Sequence, residues 1–334
     1  MNVSRGLLQP TKSKALLGFS FRAVKWVPHP KRADTGGEDA FMSHLDAQGV
    51  FDGVSWWRNH VGVNSGLYSA ALARSLHEVI EEVAAPATMS SLDLLQRAYD
   101  RSLAKGIPGT STALVMTLQC SGGGACTSDG GETTEFSNDV LDICNVGDCR
   151  AMIIRDGDVV FVSGEQMHSF DYPFQLGESS TDVPSCAQQY HVKVRPGDLL
   201  LLGSDGVFDN LFAQKIAELS WACVGPAWAK FVLARGAVCG GGPAAGSHVS
   251  PADDVMKALT IALDEVMQAV RTTACDRGCE TPYSNKAIEA GIYFRGGRLD
   301  DITLLGSVID ERVDSGGALL SSEGASLLPS PRRD

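Results

Sequence analysis

The sequence predicts an α+β fold in which antiparallel sheets carry helices on their outside. Apolar runs of strand length and amphipathic helical segments occur in separate blocks along the 334 residues. A doubly wound parallel sheet would instead alternate strand and helix. In addition, Arg155-Asp156-Gly157-Asp158 joins two apolar runs, and an Asp-Gly pair in that position is a strong signal of an antiparallel hairpin.

The first half of the chain supplies most of the predicted elements. Residues 18–27 are typical of an opening strand, which Pro28 and Pro30 end. Apolar residues recur at helical spacing over two segments, 64–83 and 90–104, and Ser90 with Asp93 is placed as a capping box of the second helix. Strands are then predicted at 112–118, 140–145, 151–154 and 159–162.

The second half adds a buried strand, a long helix and a last strand. The continuous apolar run 199–202 is expected of a strand covered on both faces. Ser250, Pro251 and Asp253 provide an N-cap, a first-turn proline and an N3 acid for an amphipathic helix that reaches Val270. Residues 302–309 predict the final strand.

These elements predict one layered domain over residues 18–312. A basic segment, 1–17, precedes it, and a tail rich in Ser and Gly, 313–334, has the composition of disordered chain. Two stretches without apolar periodicity, 120–138 and 239–249, interrupt the domain and are interpreted as surface insertions.

Composition narrows the class of protein. Forty acidic residues against 28 basic ones give a net charge of -12, which disfavours binding to nucleic acid or to an anionic membrane surface. The nine cysteines are irregularly spaced, which favours reduced thiols in an intracellular compartment. No apolar stretch is long enough to predict a membrane span.

The first 33 residues contain seven Lys and Arg residues and no acidic residue. That bias is typical of a mitochondrial or plastid transit peptide, and equally of a basic disordered start followed by a basic strand. Both interpretations stay open. The second would leave the protein in the cytoplasm.

Acidic residues follow or precede the apolar runs at five places. They are Glu38-Asp39, Asp52-Gly53, Asp148, Asp205-Gly206 and Asp300-Asp301. Carboxylates at strand ends can converge at one end of a sheet, where the strands keep them rigid. Mg²⁺ and Mn²⁺ prefer such oxygen ligands. The order of these segments therefore predicts a divalent-metal site, and the glycine after Asp52 would let its own carbonyl approach a metal closely.

At this point the chain resembles the type 2C (PPM) metal-dependent protein serine/threonine phosphatases, and among them a subgroup of mitochondria and plastids. The resemblance spans residues 18–309 and implies a β-sandwich flanked by helices on both outer faces. It rests on HPKRADTGGEDAF (29–41), DGV with WR (52–58), GTSTA (109–113), NVGDCR (145–150), EQMH with PFQL (165–176), GDLLLLGSDGVFDN (197–210) and TPYSNKAIEAGIYFRGGRLDDIT (281–303).

The resemblance implies two Mg²⁺ or Mn²⁺ ions per active site and a third, weaker ion. Asp52 would bridge the two ions, with the Gly53 carbonyl on one of them and with Asp205 and Asp300 on the other. Asp148 would be a ligand of the weaker third ion, and Glu38 with Asp39 would be the acidic pair that holds metal-bound waters. A guanidinium or ammonium should neutralise the remaining phosphate oxygens, and Lys31 and Arg32, just upstream of the acidic pair, are the candidates, unless they only solvate a loop.

The implied reaction is hydrolysis of phosphoserine and phosphothreonine, without a covalent intermediate. Two cations would lower the pKa of a bridging water, so that hydroxide attacks phosphorus near neutral pH. The implied partner is a phosphoprotein substrate, and we expect the chain to be a monomer. Val54 stands where many relatives have a histidine, and ordinary structural roles are expected for His29 and His168, so the proton donor stays open.

An alternative function is a pseudophosphatase that binds phosphoproteins without cleaving them. Phe51 and Trp56 stand where the subgroup has small residues, and the stretch from Ala40 to Asp52 looks short for a full hairpin. These departures leave the strength of metal binding and turnover open.

Overall fold

The computed structural model describes residues 17–83, 88–120, 139–238 and 250–311. Two five-stranded antiparallel sheets form its centre. The first contains, in spatial order, β1 (Leu17–Val27), β12 (Ile302–Glu311), β11 (Leu199–Gly203), β6 (Arg150–Arg155) and β7 (Asp158–Val162). The second contains β10 (Gln188–Lys193), β5 (Asp139–Val146), β4 (Ala113–Cys120), β3 (Ala47–Asp52) and β2 (Asp39–Ser43). A small hairpin pairs β8 (Met167–Ser169) with β9 (Tyr172–Pro173).

Helices cover both outer faces of this sandwich. On the second sheet lie α2 (Gly66–Glu82) and α3 (Ser91–Leu103), and on the first lie α5 (Ala213–Val238) and α6 (Pro251–Cys275). Three short helices, α1 (Trp56–Val61), α4 (Asp205–Phe208) and α7 (Pro282–Glu289), complete the described elements. The predicted α+β sandwich with helices on both outer faces is confirmed.

The apolar run of β11 explains how the layers are joined. Leu200 and Leu202 face the second sheet, while Leu199 and Leu201 face the helices α5 and α6. Successive side chains of a strand point to opposite faces, so a strand between two apolar layers is apolar throughout. Each fully buried leucine contributes about 1.5–3 kcal/mol. The leucines of β11 therefore stabilise both the contact between the sheets and the contact with the helices.

The predicted helix starts are also confirmed. Ser90 accepts a hydrogen bond from the Asp93 amide at the start of α3, which is half of the predicted capping box; the Asp93 carboxylate accepts from the Ser90 hydroxyl at 2.7 Å instead of from the Ser90 amide. Ser250 and Asp253 form a capping box at the start of α6, with Pro251 in its first turn. Such side chains satisfy amide groups that a helix start leaves without partners.

The sequence prediction was wrong or incomplete in several places, and β10 and the short helices α1, α4 and α7 are among the elements that it did not assign. The stretch from Ala40 to Asp52 is not too short for a hairpin, because β2 and β3 pair fully from Asp39 opposite Asp52 to Ser43 opposite Gln48. The helix α5 was not predicted at all. Its sequence contains Pro226 and lacks a clear polar face, so helical periodicity is weak there.

The predicted basic segment, the two insertions and the tail lie almost wholly outside the described residues, in 1–16, 121–138, 239–249 and 312–334. Those domain boundaries stay predictions. Within the described residues, no helix is long and apolar enough to cross a membrane.

Candidate active site

One end of the sandwich gathers the predicted carboxylates. Asp39 begins β2, Asp52 ends β3, Asp148 lies in the turn between β5 and β6, Asp205 follows β11 and Asp300 precedes β12. We call this region the acidic end. The strands meet there because antiparallel neighbours place the start of one beside the finish of the next.

Strand register brings the first pair of carboxylates together. Asp39 and Asp52 are directly opposite each other in the β2–β3 ladder, where facing side chains lie about 5 Å apart. The Gly53 amide donates to the Glu38 carbonyl at 3.0 Å, and the Thr112 amide donates to the Asp52 carbonyl at 2.9 Å. Asp52 is therefore held on both sides by backbone.

The two sheets are tied together at this end through Ser204. Its hydroxyl donates to Asp39 Oδ2 at 2.8 Å and accepts from the Thr303 amide at 3.1 Å. Ser204 immediately precedes Asp205, so this link also sets the distance between the Asp39 and Asp205 segments.

Two glycines allow the backbones to approach closely. A Cβ on Gly53 would lie 2.6 Å from the Glu38 carbonyl oxygen, and one on Gly206 would lie 2.0 Å from the Asp301 carbonyl oxygen. Real Cβ atoms do not tolerate such contacts. The Asp-Gly pairs noted in the sequence are therefore packing positions of the acidic end as well as turn residues.

Asp301 was not assigned a role from sequence, yet it organises the loop that carries Glu38. Its Oδ2 accepts from the Glu38 amide at 2.8 Å, and its Oδ1 accepts from the His29 amide at 2.5 Å. The Asp301 amide in turn donates to Asp300 Oδ1 at 2.8 Å. The Asp-Asp repeat is the only sequence signal of this arrangement.

Burial and mutual repulsion disfavour the ionised forms of the clustered carboxyls. Burial, followed by the charge of Asp300, raises the pKa of Asp205 to about 6. Burial and the neighbouring Asp205 raise the pKa values of both Asp52 and Asp148 well above their usual range. For Asp39 the pKa is raised by burial and by Asp301. A positive charge among these groups would reverse the effect.

Three carboxylate oxygens of the cluster are buried without a hydrogen-bond partner: Asp39 Oδ1, Asp148 Oδ1 and Asp205 Oδ1. Buried polar atoms almost always have a partner, so each such atom needs an explanation. Oxygens of this kind are the ligands that hard divalent cations bind. The donor set therefore fits the divalent ions that the sequence predicts.

Arginine side chains stand among the carboxylates. Arg32 contacts Glu38 and lies 3.3 Å from Asp300 and 3.2 Å from Asp301, and Arg58 lies 2.9 Å from Glu38. On the other side, Arg298 reaches the Asp205 and Asp300 carboxylates at 3.1 and 3.3 Å. Neither Arg58 nor Arg298 was proposed from sequence, although Arg298 stands two residues before Asp300.

Arg298 affects the orientation of two proposed metal ligands, the carboxylates of Asp205 and Asp300. In the described ranges, no group of three or more acidic, His or Cys side chains is ready to hold a metal ion as it stands. The carboxylates that would have to converge, Asp205 and Asp300, instead point their Oδ2 atoms at Arg298. Binding of a metal ion to these Oδ2 atoms would therefore displace the guanidinium.

The two proposed phosphate-binding cations differ in position. Arg32 is largely buried at the acidic end, with 14% of its side chain exposed. Lys31 is exposed, and its ammonium contacts no described residue; only its amide is used, donating to His29 Nδ1 at 3.0 Å. The structure thus brings Arg32, but not the Lys31 ammonium, into the carboxylate cluster.

The histidines have structural contacts. His29 caps the turn that carries Arg32, and burial together with Arg32 lowers its pKa. His168 stacks on Phe174 with ring centroids 3.8 Å apart and lies 2.9 Å from Asp182. These contacts agree with the packing roles predicted from sequence.

The unusual aromatic residues lie away from the carboxylates. Phe51 is fully buried in the core beneath α2 and α3. Trp56 is 52% exposed and stacks on His60, at 4.8 Å between ring centroids. The contacts of these two side chains are apolar packing for Phe51 and aromatic rings for Trp56, so neither contact bears on the strength of metal binding.

Comparisons with known proteins agree with this geometry. No family model matches the chain. The probable protein phosphatase 2C 80 of Arabidopsis thaliana is 31% identical over 287 residues, which cover 85% of this chain and 57% of that protein. The probable protein phosphatase 2C 1 of Oryza sativa subsp. japonica is 29% identical over 320 residues, covering 90% and 78%. The chain spans about half the length of the first relatives it matches.

Solved structures match over almost the whole domain. The X-ray structure of the photosystem II phosphatase PBCP has a TM-score of 0.64 and 26% identity, covering 86% of this chain and 98% of that one. The catalytic domain of the serine/threonine protein phosphatase PstP, in complex with two manganese ions, has a TM-score of 0.52 at 12% identity and covers 89% and 100%; it shares the fold. From the motifs, the sandwich and these relatives together, the chain is a homologue of the type 2C, or PPM, protein phosphatases.

Proposed function

We propose that this chain is a Mg²⁺- or Mn²⁺-dependent protein phosphatase that hydrolyses phosphoserine and phosphothreonine. The observation that carries the proposal is the meeting of carboxylates from both sheets at the acidic end, three of whose buried oxygens have no hydrogen-bond partner. The names of the relatives support it. A binding module would have no need to hold so many buried acids together, because burying charge costs free energy.

The ligands follow from the positions of the groups. Asp52 would hold both ions, the Gly53 carbonyl one of them, Asp205 and Asp300 the other, and Asp148 a weaker third. Bound there, two divalent cations would supply a water of lowered pKa and would neutralise charge on the phosphoryl oxygens. Glu38 and Asp39 would accept hydrogen bonds from water around the ions.

Arg32 is the better placed of the two proposed phosphate-binding residues. Its guanidinium is held by Asp300, Asp301 and the Ser55 hydroxyl, which lies 2.8 Å away. The nearby carboxylates keep it charged by raising its pKa. An arginine fork can donate two hydrogen bonds to one phosphoryl group, which an ammonium cannot do with the same geometry. We propose that Arg32 orients the phosphoryl group and that Lys31 contributes charge from the surface.

Proton donation to the leaving serine oxygen is assigned to water rather than to a histidine. The residue after Gly53 is Val54 and not a histidine. Its backbone carbonyl accepts a hydrogen bond from the Ser65 hydroxyl at 2.7 Å. His29 uses its Nδ1 to accept from the Lys31 amide.

A direct test is hydrolysis of a small aryl phosphate and of a phosphoserine peptide by the purified chain, with Mn²⁺ or with a chelator. We expect turnover of both substrates with Mn²⁺ and loss of both in chelator. Tight Mn²⁺ binding without turnover of either substrate would favour the pseudophosphatase, and full activity in chelator would contradict the metal assignment.

The compartment needs a separate experiment, because the basic first 33 residues allow two interpretations. A fluorescent protein carrying residues 1–33 at its N-terminus would enter mitochondria or plastids if they form a targeting signal. Uniform cytoplasmic fluorescence would leave them as a basic start of the chain.

A further inference from the structure

Arg298 occupies the centre of a ring of four carboxylates. Its Nη1 lies 3.1 Å from Asp205 Oδ2, 2.9 Å from Asp209 Oδ2 and 3.0 Å from Asp171 Oδ1, and its Nη2 lies 3.3 Å from Asp300 Oδ2. The side chain is 27% exposed. Two of its four partners, Asp205 and Asp300, are proposed metal ligands, while Asp209 and Asp171 are not.

The surrounding motifs hold Arg298 in this position. Asn210 binds both backbone groups of Arg298: its Oδ1 accepts from the amide and its Nδ2 donates to the carbonyl, each at 2.9 Å. The guanidinium lies over the Tyr283 ring, 4.9 Å from its centroid, and the Tyr283 amide donates to the Asp209 carbonyl at 3.1 Å. The sequence motifs that contain Asn210 and Tyr283 therefore have a structural role, which is to hold Arg298 in place.

Asp209 differs from Asp205 in its second partner. Asp209 Oδ1 accepts from Lys286 Nζ at 2.6 Å, and Lys286 also pairs with Glu165 at 3.0 Å. Asp205 Oδ1, in contrast, is buried without a partner. Asp209 is therefore held by Lys286 as well as by Arg298. It can keep its contact with the guanidinium when Asp205 turns toward a metal ion.

We infer that Arg298 is the resident counter-ion of the metal site. It neutralises Asp205 and Asp300 before a metal ion binds, and binding of the ion displaces its guanidinium toward Asp209 and Asp171. This inference rests on the proposed function. Because a guanidinium and a divalent cation repel each other and compete for the same carboxylates, Arg298 weakens metal binding while it stabilises the metal-free protein.

If Arg298 competes with the metal ion, its removal should lower the stability of the metal-free protein and raise the affinity for the metal ion. Removing Arg298 takes from Asp205 its arginine partner and leaves Asp300 with Arg32, so the metal-free protein becomes less stable. A bound cation would supply the lost charge, so the metal-bound protein suffers less. Linkage then requires tighter binding, since the stabilisation by a ligand grows with its affinity for the folded state. Arg298 is thus a competitor of the metal ion, and its removal tightens metal binding.

The experiment compares Arg298→Met with Arg155→Met, in chelator and in Mn²⁺. Arg155 pairs with the buried Asp198 at 2.7 Å, far from the acidic end, so its loss also removes an ion pair of a buried acid. Mn²⁺ affinity is measured by calorimetric titration, and the unfolding midpoint by a thermal scan in each condition. Neither measurement depends on catalytic activity.

For Arg298→Met we expect a lower unfolding midpoint in chelator, a larger Mn²⁺-induced rise than in the wild type, and a dissociation constant for Mn²⁺ at least roughly tenfold lower. Arg155→Met should lower the midpoint equally in both conditions and leave the dissociation constant unchanged. If Arg298→Met does not fold without metal, Arg298→Lys serves instead. Its compact ammonium lacks the planar fork that contacts Asp205 through Nη1 and Asp300 through Nη2, so Mn²⁺ should bind several-fold tighter than to the wild type.

An unchanged or weakened Mn²⁺ affinity in the Arg298 variants would overturn the inference, because it would make Arg298 a purely structural or ligand-supporting residue. A wild-type protein that binds no Mn²⁺ would instead refute the proposed function. The two failures are therefore distinguishable.

Discussion

The strands β11 and β12 carry buried acids at both ends, and the two ends differ in how those charges are balanced. At one end, Asp198 receives two hydrogen bonds from Arg155, at 2.8 and 2.7 Å, and both Asp310 oxygens accept from Arg235 at 2.9 Å. Each acid there has its own arginine. We call this region the paired end.

At the acidic end, the carboxylates outnumber the cations. Arg298 is shared among four of them, and burial and acidic neighbours raise the pKa values of the Asp52 and Asp148 carboxyls. A fold gains nothing from such an excess, because buried like charges repel. The comparison teaches that a buried acid with its own arginine serves the structure, whereas an uncompensated group of acids marks a site for an external cation.

The largest expected effect is that of Asp205→Asn on activity. Losing one carboxylate from a shared site should reduce Mn²⁺-dependent hydrolysis of an aryl phosphate by at least roughly a hundredfold. The same change relieves repulsion, so the unfolding midpoint in chelator should be no lower than that of the wild type. Steady-state kinetics and a thermal scan measure the two. Near-normal activity would contradict the interpretation of the acidic end as a metal site that the paired end lacks.

Asp198→Asn should have the reverse pattern. The paired end loses a bidentate ion pair, and because Arg155 is partly exposed we expect a loss of about 2–3 kcal/mol in the free energy of unfolding. Denaturant titration measures it. Aryl phosphate turnover below the unfolding range should stay within about twofold of the wild type. A loss of activity like that of Asp205→Asn would show that Asp198 also serves the site.

Gly206→Ala tests how precisely the acidic end is built. The added methyl group would meet the Asp301 carbonyl oxygen at 2.0 Å and push the start of β12 away from Asp205. We expect at least a roughly tenfold loss of activity, because small displacements of ligands are costly. Gly236→Ala is the matched control, since its Cβ meets nothing within 4 Å and lies in the helix α5. Equal activities of the two variants would contradict the prediction.

The smallest effect is expected for His29→Gln. The glutamine oxygen can replace Nδ1 as the acceptor for the Lys31 amide, so the turn should persist. Activity on a phosphoserine peptide should stay within roughly tenfold of the wild type, with an unchanged ratio to aryl phosphate activity. A hundredfold loss confined to the peptide would identify His29 as the proton donor. Mn²⁺ affinity is measured alongside, because a shift of Glu38 could imitate that loss.

Most of the fold could be predicted from local sequence patterns. The amphipathic helices, their caps and the β6–β7 hairpin depend on residues close together in the chain, and the structure contains all of them. The helix α5 escaped prediction because its proline and its apolar sides hide the helical period. The full β2–β3 hairpin was not expected, because the stretch looks short in sequence; its two strands are joined by a tight turn that needs few residues.

The candidate site likewise has a part that could be predicted from sequence and a part that could not. The acidic segments could be found from sequence, because Asp-Gly and Asp-Asp pairs beside apolar runs are visible without a structure. The cations among them could not be found so directly. Arg298 meets Asp171 and Asp209, which are 127 and 89 residues away along the chain. No local pattern connects such residues.

By itself, the sequence determined the layered α+β architecture, the strand ends that carry the acids and the oxygen-donor character of the site, since each depends on local periodicity or on residue type. Only the tertiary structure decided which acids are paired and which are left in excess. Charge balance depends on groups brought together by the packing of two sheets, and Arg155 and Arg298 look alike in the sequence. Their different surroundings make one a structural partner of Asp198 and the other a competitor for the proposed metal ligands.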